Sequence, residues 1–244
     1  MSSPLIPKPS FDTYTLRARL LPTLIVGLPV GLAALAWFPK SETWWGPISG
    51  LVVGAGGVAL LAQLGRDWGK RKQPRLFASW GGEPTTRLLR HRDAPNTVLL
   101  ERRHRKLKAL LPDQQIPTRE QELADPQQAD VVYQACAALL KEKTRDKQRF
   151  PLVFEENCNY GFRRNLWGMK PLGILTATAG SAAVIALIVL HYREGKVAMS
   201  AVTPTAMVVN GLLLLAWLFW FTPAWVKIAA DAYAERLLAA CDTL

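Results

Sequence analysis

Cysteine is scarce in this chain: Cys136, Cys158 and Cys241 are three among 244 residues, and none belongs to a CxxC pair. That spacing offers neither a disulfide framework nor a zinc module, so the three read as free thiols. Histidine is as rare, and His91, His104 and His191 form no HExxH or paired metal-ligand spacing. GxSxG, a Walker loop and GxGxxG are also missing, which removes the nucleophile elbow and the phosphate-cradling loops that would support a catalytic reading. Glu155 and Glu156 are adjacent, and adjacent positions diverge on a helix, so pairing with Arg163 or Arg164 is expected of them rather than shared acid–base work. The expectation is a protein that is not an enzyme and uses no cofactor or metal.

A second absence is local. The stretches 20–38, 46–64, 172–192 and 204–222 contain no Asp, Glu, Lys or Arg. Each is near the ~20 residues that cross ~30 Å of hydrocarbon as a helix. Short loops, 39–45 and 193–203, join them into two hairpins. Arg17 and Arg19 before the first run, with Ala34 and Ala36 inside it, would also suit a cleaved leader; that reading leaves an odd number of spans and puts the middle segment outside. Intramembrane carboxylates are lacking, which argues against a proton-coupled transporter.

What the chain has in excess is positive charge, +11 overall, concentrated between the hairpins: residues 66–171 carry 22 Lys and Arg against 13 Asp and Glu. The two short loops hold only Lys40, Arg193 and Lys196. By the positive-inside rule, both termini and the middle segment are expected in the cytoplasm of a multi-pass membrane protein. The expected fold is an all-α membrane protein with four transmembrane helices in two hairpins. Its divisions are 1–65 for the tail and first hairpin, 66–171 for a mainly helical basic domain, 172–222 for the second hairpin and 223–244 for an amphipathic helix.

Within the spans, Gly46, Gly50 and Gly54 recur every four residues with Ala55, Ala59 and Ala62 near the same side, a spacing that lets helix backbones approach closely in lipid. Gly27 and Gly31 flank Pro29, where a kink is expected. The third span is rich in Thr176, Thr178, Gly180, Ser181, Ala182 and Ala183. Asn210 must face protein or water; it is interhelical glue or, with Thr178 and Ser181, a pore lining.

In the basic segment, Asp125, Pro126 and Gln128 mark a helix start, and a second helix is expected from about Asn96 to Leu111, where Pro112 and Pro117 end it and open a loop. Gly81 and Gly82 permit a tight turn before Thr85 or Thr86 as a cap, where free N–H groups could receive an anion or simply begin a helix. Membrane lipid accounts for Arg66, Lys70, Arg71 and Lys72 beside a span. Residues 87–108 lie farther along, where either a solvated helix face or a phosphate-bearing ligand is in play. Arginines interleaved with His91, His104, Trp80 and Tyr160 suit single-stranded nucleic acid; the ligand candidates are Trp80, Arg87, Arg90, Arg92, Arg102, Arg103, Arg105 and Lys106.

The stretch "ENCNYGFRRNLWGMKPLG" (156–173) meets the third run. Arg163, Arg164, Lys170 and Trp167 suit anchoring. Asn157, Asn159, Tyr160 and Asn165 exceed that need, and with Arg163 and Arg164 they make a candidate gate linker that bends at Pro171. The last segment offers Thr222 and Pro223 as cap and first turn and a stripe of Val226, Ala229, Ala230, Tyr233, Leu237 and Cys241; packing on the basic domain is expected of it.

"WGGEPTTRLLRHRD" and "ENCNYGFRRNLWGMKPLG" look like strings in bacterial membrane proteins of unassigned role; two membrane hairpins with a basic domain between them and no catalytic motif resemble bacterial membrane effectors, and that architecture is similar to the transmembrane channel effector of the Hailong anti-phage defence system. That resemblance implies a homotetrameric ion channel held inactive by a single-stranded DNA signal from a partner nucleotidyltransferase. It names no ligand residue. The alternatives are a non-conducting scaffold whose basic surface recruits a partner protein or anionic lipid and, less favoured by the missing charge, a transporter subunit.

Overall fold

A computed structural model of the chain describes residues 13–38, 56–195 and 200–244, and among these every regular element is a helix. In chain order they are α1 (Thr13–Trp37), α2 (Val58–Ser79), α3 (Pro84–Arg87), α4 (Thr97–Leu110), α5 (Arg119–Ala124), α6 (Pro126–Lys143), α7 (Pro151–Gly168), α8 (Lys170–Arg193), α9 (Val202–Trp220) and α10 (Pro223–Ala239). Three of them, α1, α8 and α9, are long and apolar enough to cross a membrane. Of the second expected span, Gly46, Gly50, Gly54 and Ala55 lie outside the described residues. Its remainder enters α2, where Ala62 is buried and Ala59 exposed. The described helices therefore support three membrane-length segments and not yet two hairpins.

The chain divides into two compact units: an apolar one, holding the described residues up to Trp68 together with Gly168–Phe219, and a polar one, Gly69–Trp167 with Trp220–Leu244.

In the apolar unit α1, α8 and α9 pack on one another. The inward row of α8 is Gly173, Ala177, Gly180, Val184 and Leu187, alternating steps of four and three that keep one seam against its neighbours. Two glycines set the distance of closest approach. A Cβ on Gly173 would run into the Trp217 ring, and one on Gly180 would lie 2.7 Å from Pro29 O and 2.9 Å from Asn210 Nδ2. Pro29 stays inside α1, while the glycines around it, Gly27 and Gly31, face open space. Trp37 Nε1 donates to Ala183 O at 2.9 Å, a second tie from α1 to α8. Leu24, Leu28, Leu35, Ile185, Val189, Leu212 and Leu215 point outward, as in helices whose surroundings are as apolar as their seam.

The polar unit is organised by caps. Asn96 Oδ1 accepts from Leu99 N–H at 3.0 Å to start α4, and Asp125 Oδ1 accepts from Gln128 N–H at 2.9 Å to start α6, with Pro126 in its first turn. Thr222 Oγ1 accepts from Trp225 N–H at 3.3 Å ahead of Pro223. Helix α5 follows Pro117 where a loop is expected; Thr118 and Gln121 form a reciprocal capping box there. Gly81 and Gly82 turn the chain with φ of +80° and +132°, but the helix they lead into, α3, is a single turn, and Glu83 rather than Thr85 or Thr86 holds its N-cap position. One core gathers Leu89, Leu107, Tyr133, Cys136, Leu140, Phe150, Leu237 and Cys241. A second gathers Leu76, Trp80, Tyr160, Val226, Ala229 and Ala230. Both include the inward stripe of α10, which is thus part of this unit.

Candidate functional site

The arginines ahead of α4 separate into two kinds. Arg90 is buried, and its Nε and Nη2 form a fork on Asp130 at 2.8 and 2.6 Å while Nη1 reaches Asp93 at 2.9 Å and Gly81 O at 2.6 Å. Burial works against its charge, but the two aspartates outweigh it and hold the Arg90 pKa above its ordinary value. Arg92 donates to Glu122 at 2.9 Å and to Asp130 at 3.0 Å. Glu122 is itself buried and accepts from His91 N–H, Arg92 N–H and the Tyr133 hydroxyl, the last at 2.8 Å. Desolvation pushes its carboxyl up, and these donations overcome that and leave it below the usual carboxylate range. Tyr133, buried and donating to a carboxylate, is pushed far up. Arg90 and Arg92, expected at a ligand, thus serve the protein's own carboxylates.

Trp80 is likewise turned inward: it packs in the second core with Phe77 at a ring separation of 5.9 Å, and its face is not available to a base. Arg102 pairs with Asp242 at 2.9 Å. Arg103 is half-buried, its pKa lowered by that burial against the pull of Glu235. It lines a hollow of about 540 Å³ in which Glu156 and Glu235 balance Arg103 and Arg236. Arg87 is half-buried and Lys106 exposed.

Arg105 is the predicted residue that the fold brings to an open positive surface. With Lys108 and Arg119 it borders a groove of about 510 Å³, walled also by His91, His104 and Glu101. The two imidazoles meet edge to face at 4.9 Å. His91 Nε2–H donates to Pro117 O at 3.2 Å and His104 Nε2–H to Leu89 O at 2.8 Å; a carbonyl can only accept, which fixes both tautomers. Burial lowers the His104 pKa. Lys108, on the expected α4, and Arg119, on a helix the pattern did not reveal, were absent from the expected set.

On α7, Arg163 Nη1 donates to Trp225 O at 2.9 Å and its guanidinium stands 4.8 Å over the Trp225 ring. Arg164, one turn beyond Tyr160, lies 5.5 Å from that ring and donates to Asn165 Oδ1 and Gln73 Oε1. Asn159 Nδ2 reaches Glu156 at 3.4 Å. Asn157 and Tyr160 line a cavity with Arg164. Helix α7 ends at Gly168 and α8 opens at Lys170 with Pro171 in its first turn.

Of the three candidate pore residues, Thr178 is exposed, Ser181 is half-buried, and Asn210 is fully buried, donating from Nδ2 to Pro29 O at 3.3 Å. Of the two roles open to Asn210, its geometry within one chain is that of an interhelical tie. Among the described residues no three His, Cys, Asp or Glu side chains gather as a metal site, and Cys136, Cys158 and Cys241 are buried, with burial raising the thiol pKa of the first and last to about 11. The arrangement presents cationic side chains at the Arg105 groove and at the cavity beside Arg164, the chemistry that suits an anion. No family model, no curated protein and no solved structure matches this chain.

Proposed function

We propose that the chain is the subunit of a homotetrameric ion channel of a bacterial inner membrane, a four-span protein with its termini and polar unit in the cytoplasm. A single-stranded oligonucleotide, supplied by a partner nucleotidyltransferase, binds the polar unit and biases the closed state, and its loss during phage infection opens the pore. The observation that supports this reading is the segregation of charge. The polar unit carries 22 Lys and Arg against 15 Asp and Glu. Arg105, Lys108 and Arg119 converge on one groove beside two imidazoles, whereas α1, α8 and α9 bury no charged side chain. Cations of this kind pair with phosphates, and flat rings stack on bases.

A labelled oligothymidylate titrated at increasing salt tests the ligand. Binding should weaken with a log–log slope of about −2, from ~0.7 per phosphate neutralised on a single strand at three groove cations. Arg105→Glu with Lys108→Glu should weaken it at least tenfold. No binding at low ionic strength removes the ligand, and no conductance in a planar bilayer, with or without oligonucleotide, removes the channel.

One observation favours a second reading. Asn210, fully buried in α9, gives its Nδ2 to the Pro29 carbonyl, so that donor serves packing within the chain and not a pore lining. The chain would then be a scaffold whose basic surface recruits a partner protein or anionic lipid, and it would be electrically silent.

A further inference from the structure

Arg164 is in an unusual position for a charged side chain. It is 7% exposed, and its hydrogen-bond partners are neutral: Asn165 Oδ1, at 3.2 Å from Nε and 3.1 Å from Nη2, and Gln73 Oε1, at 2.9 Å from Nη1. The Tyr160 ring covers one face of the guanidinium. Among the described residues no carboxylate pairs with it. A buried charge without a counter-charge is strongly destabilising, and Arg90 shows how the same unit handles the problem elsewhere, with two aspartates. A guanidinium has five N–H donors in a planar fork, so two of those on Arg164 remain after its amide partners are counted.

The space beside it is a cavity of about 170 Å³, walled by Arg164, Asn157, Gln73, Thr85, Lys141 and Glu83. Glu83, the carboxylate in that wall, is already taken by Lys141 at 2.5 Å. The lining is therefore left with one uncompensated positive charge. At ~30 Å³ per water the cavity of about 170 Å³ has room for about six water volumes, enough for a compact tetrahedral oxyanion. The backbone geometry that builds the site is specific. Gly69 lets α2 press so closely on α7 that a Cβ there would lie 2.7 Å from Asn165 Oδ1, the oxygen that holds two of the Arg164 nitrogens in place.

We propose that this cavity is a phosphate site, with Arg164 as the fork that grips the phosphoryl oxygens and with Lys141, Asn157 and Thr85 as the surrounding donors. A free inorganic phosphate and the terminal phosphate of a nucleotide share this chemistry. The site does not depend on the channel reading and shares no residue with the Arg105 groove.

The full-length protein in detergent micelles, titrated with sodium phosphate against sodium chloride at matched ionic strength, tests it by calorimetry and by thermal unfolding. The expected result is saturable uptake of one phosphate per chain with a rising Tm, at least tenfold weaker in Arg164→Gln and partly restored in Arg164→Lys. Should the Arg164 variants not fold, Asn157→Leu keeps the guanidinium and is expected to weaken phosphate several-fold. Phosphate indistinguishable from chloride in the wild-type protein overturns the proposal, as does full-strength binding in Arg164→Gln or, where that variant does not fold, in Asn157→Leu. Adenosine monophosphate competing with phosphate assigns the site to a nucleotide's phosphate, and failure to compete assigns it to the free ion; both uphold the site. Arg105→Glu with Lys108→Glu should leave phosphate uptake unchanged, so loss of the oligonucleotide claim and loss of this one are separable.

Discussion

Glu122 and His104 sit on opposite sides of the same small network, and both tie the stability of the polar unit to pH. Glu122 has a depressed native pKa because donors outnumber the penalty of burial; the native state therefore releases its proton at a pH where the unfolded chain still holds it. Its contribution is present above the ordinary value of about 4.3 and is lost as pH falls toward the native one. His104, neutral because it is buried, acts in the same direction from about 6.5 downward, since the unfolded imidazole gains a proton that the folded one resists. Stability should fall in acid in two stages, the upper one from His104. Glu122→Gln should remove the lower stage and lower stability at neutral pH by about 3 kcal/mol, because Arg92 and Tyr133 lose their charged acceptor. Unfolding followed by tryptophan fluorescence across pH 3–8 checks this; a variant with wild-type stability and an unchanged acid profile would show that the carboxylate is dispensable. The residues themselves were visible in the sequence as a surplus of arginine. That Arg90 and Arg92 meet Asp130 and Glu122 was not, because those partners lie 38, 40 and 30 positions away on other helices.

Helix α8 poses the same question one level up. Its wealth of small residues was legible, and so was the need for close packing, yet the inward row could not be chosen by hydropathy. All faces of a membrane-length helix are apolar, so the amphipathic signal that orients a helix in water is absent. The structure selects Gly173, Ala177 and Gly180 and turns Thr178 and Ala182 outward. Steps of four and three were the available clue. Gly180→Ala is expected to destabilise the apolar unit by about 1–3 kcal/mol through overpacking against Pro29 O and Asn210, while Ala182→Gly at the exposed position should cost no more than about 1 kcal/mol. Thermal melting in detergent compares them, and equal losses would mean that the seam is not where the glycine places it. Caps were easier. Asp125–Pro126 and Thr222–Pro223 were readable since a cap needs only residues within four positions. Helix α5 escaped notice although Thr118 and Gln121 carry the same signal, because Pro112 and Pro117 suggested loop throughout.

At the scale of the whole molecule, oligomeric state separates the two readings of function. Neither the three membrane-length helices among the described residues nor the four spans of the channel reading leave room for a conducting path within one chain, so that reading requires several copies. Mass photometry in nanodiscs should give a protein mass four times that of the 27.0 kDa chain; a single-chain mass would leave only the scaffold. The sequence by itself determined the helical class, three membrane-length segments, the starts of α4, α6 and α10 and the concentration of positive charge, because each follows from composition or from neighbours a few residues apart. Tertiary structure alone decided which arginines are neutralised within the fold, which border an open groove, and that Arg164 is buried without a paired carboxylate beside a cavity whose own carboxylate, Glu83, is taken by Lys141. Those outcomes depend on side chains brought together from separate helices, and the strength of a charge depends on the dielectric and the partners it finds there.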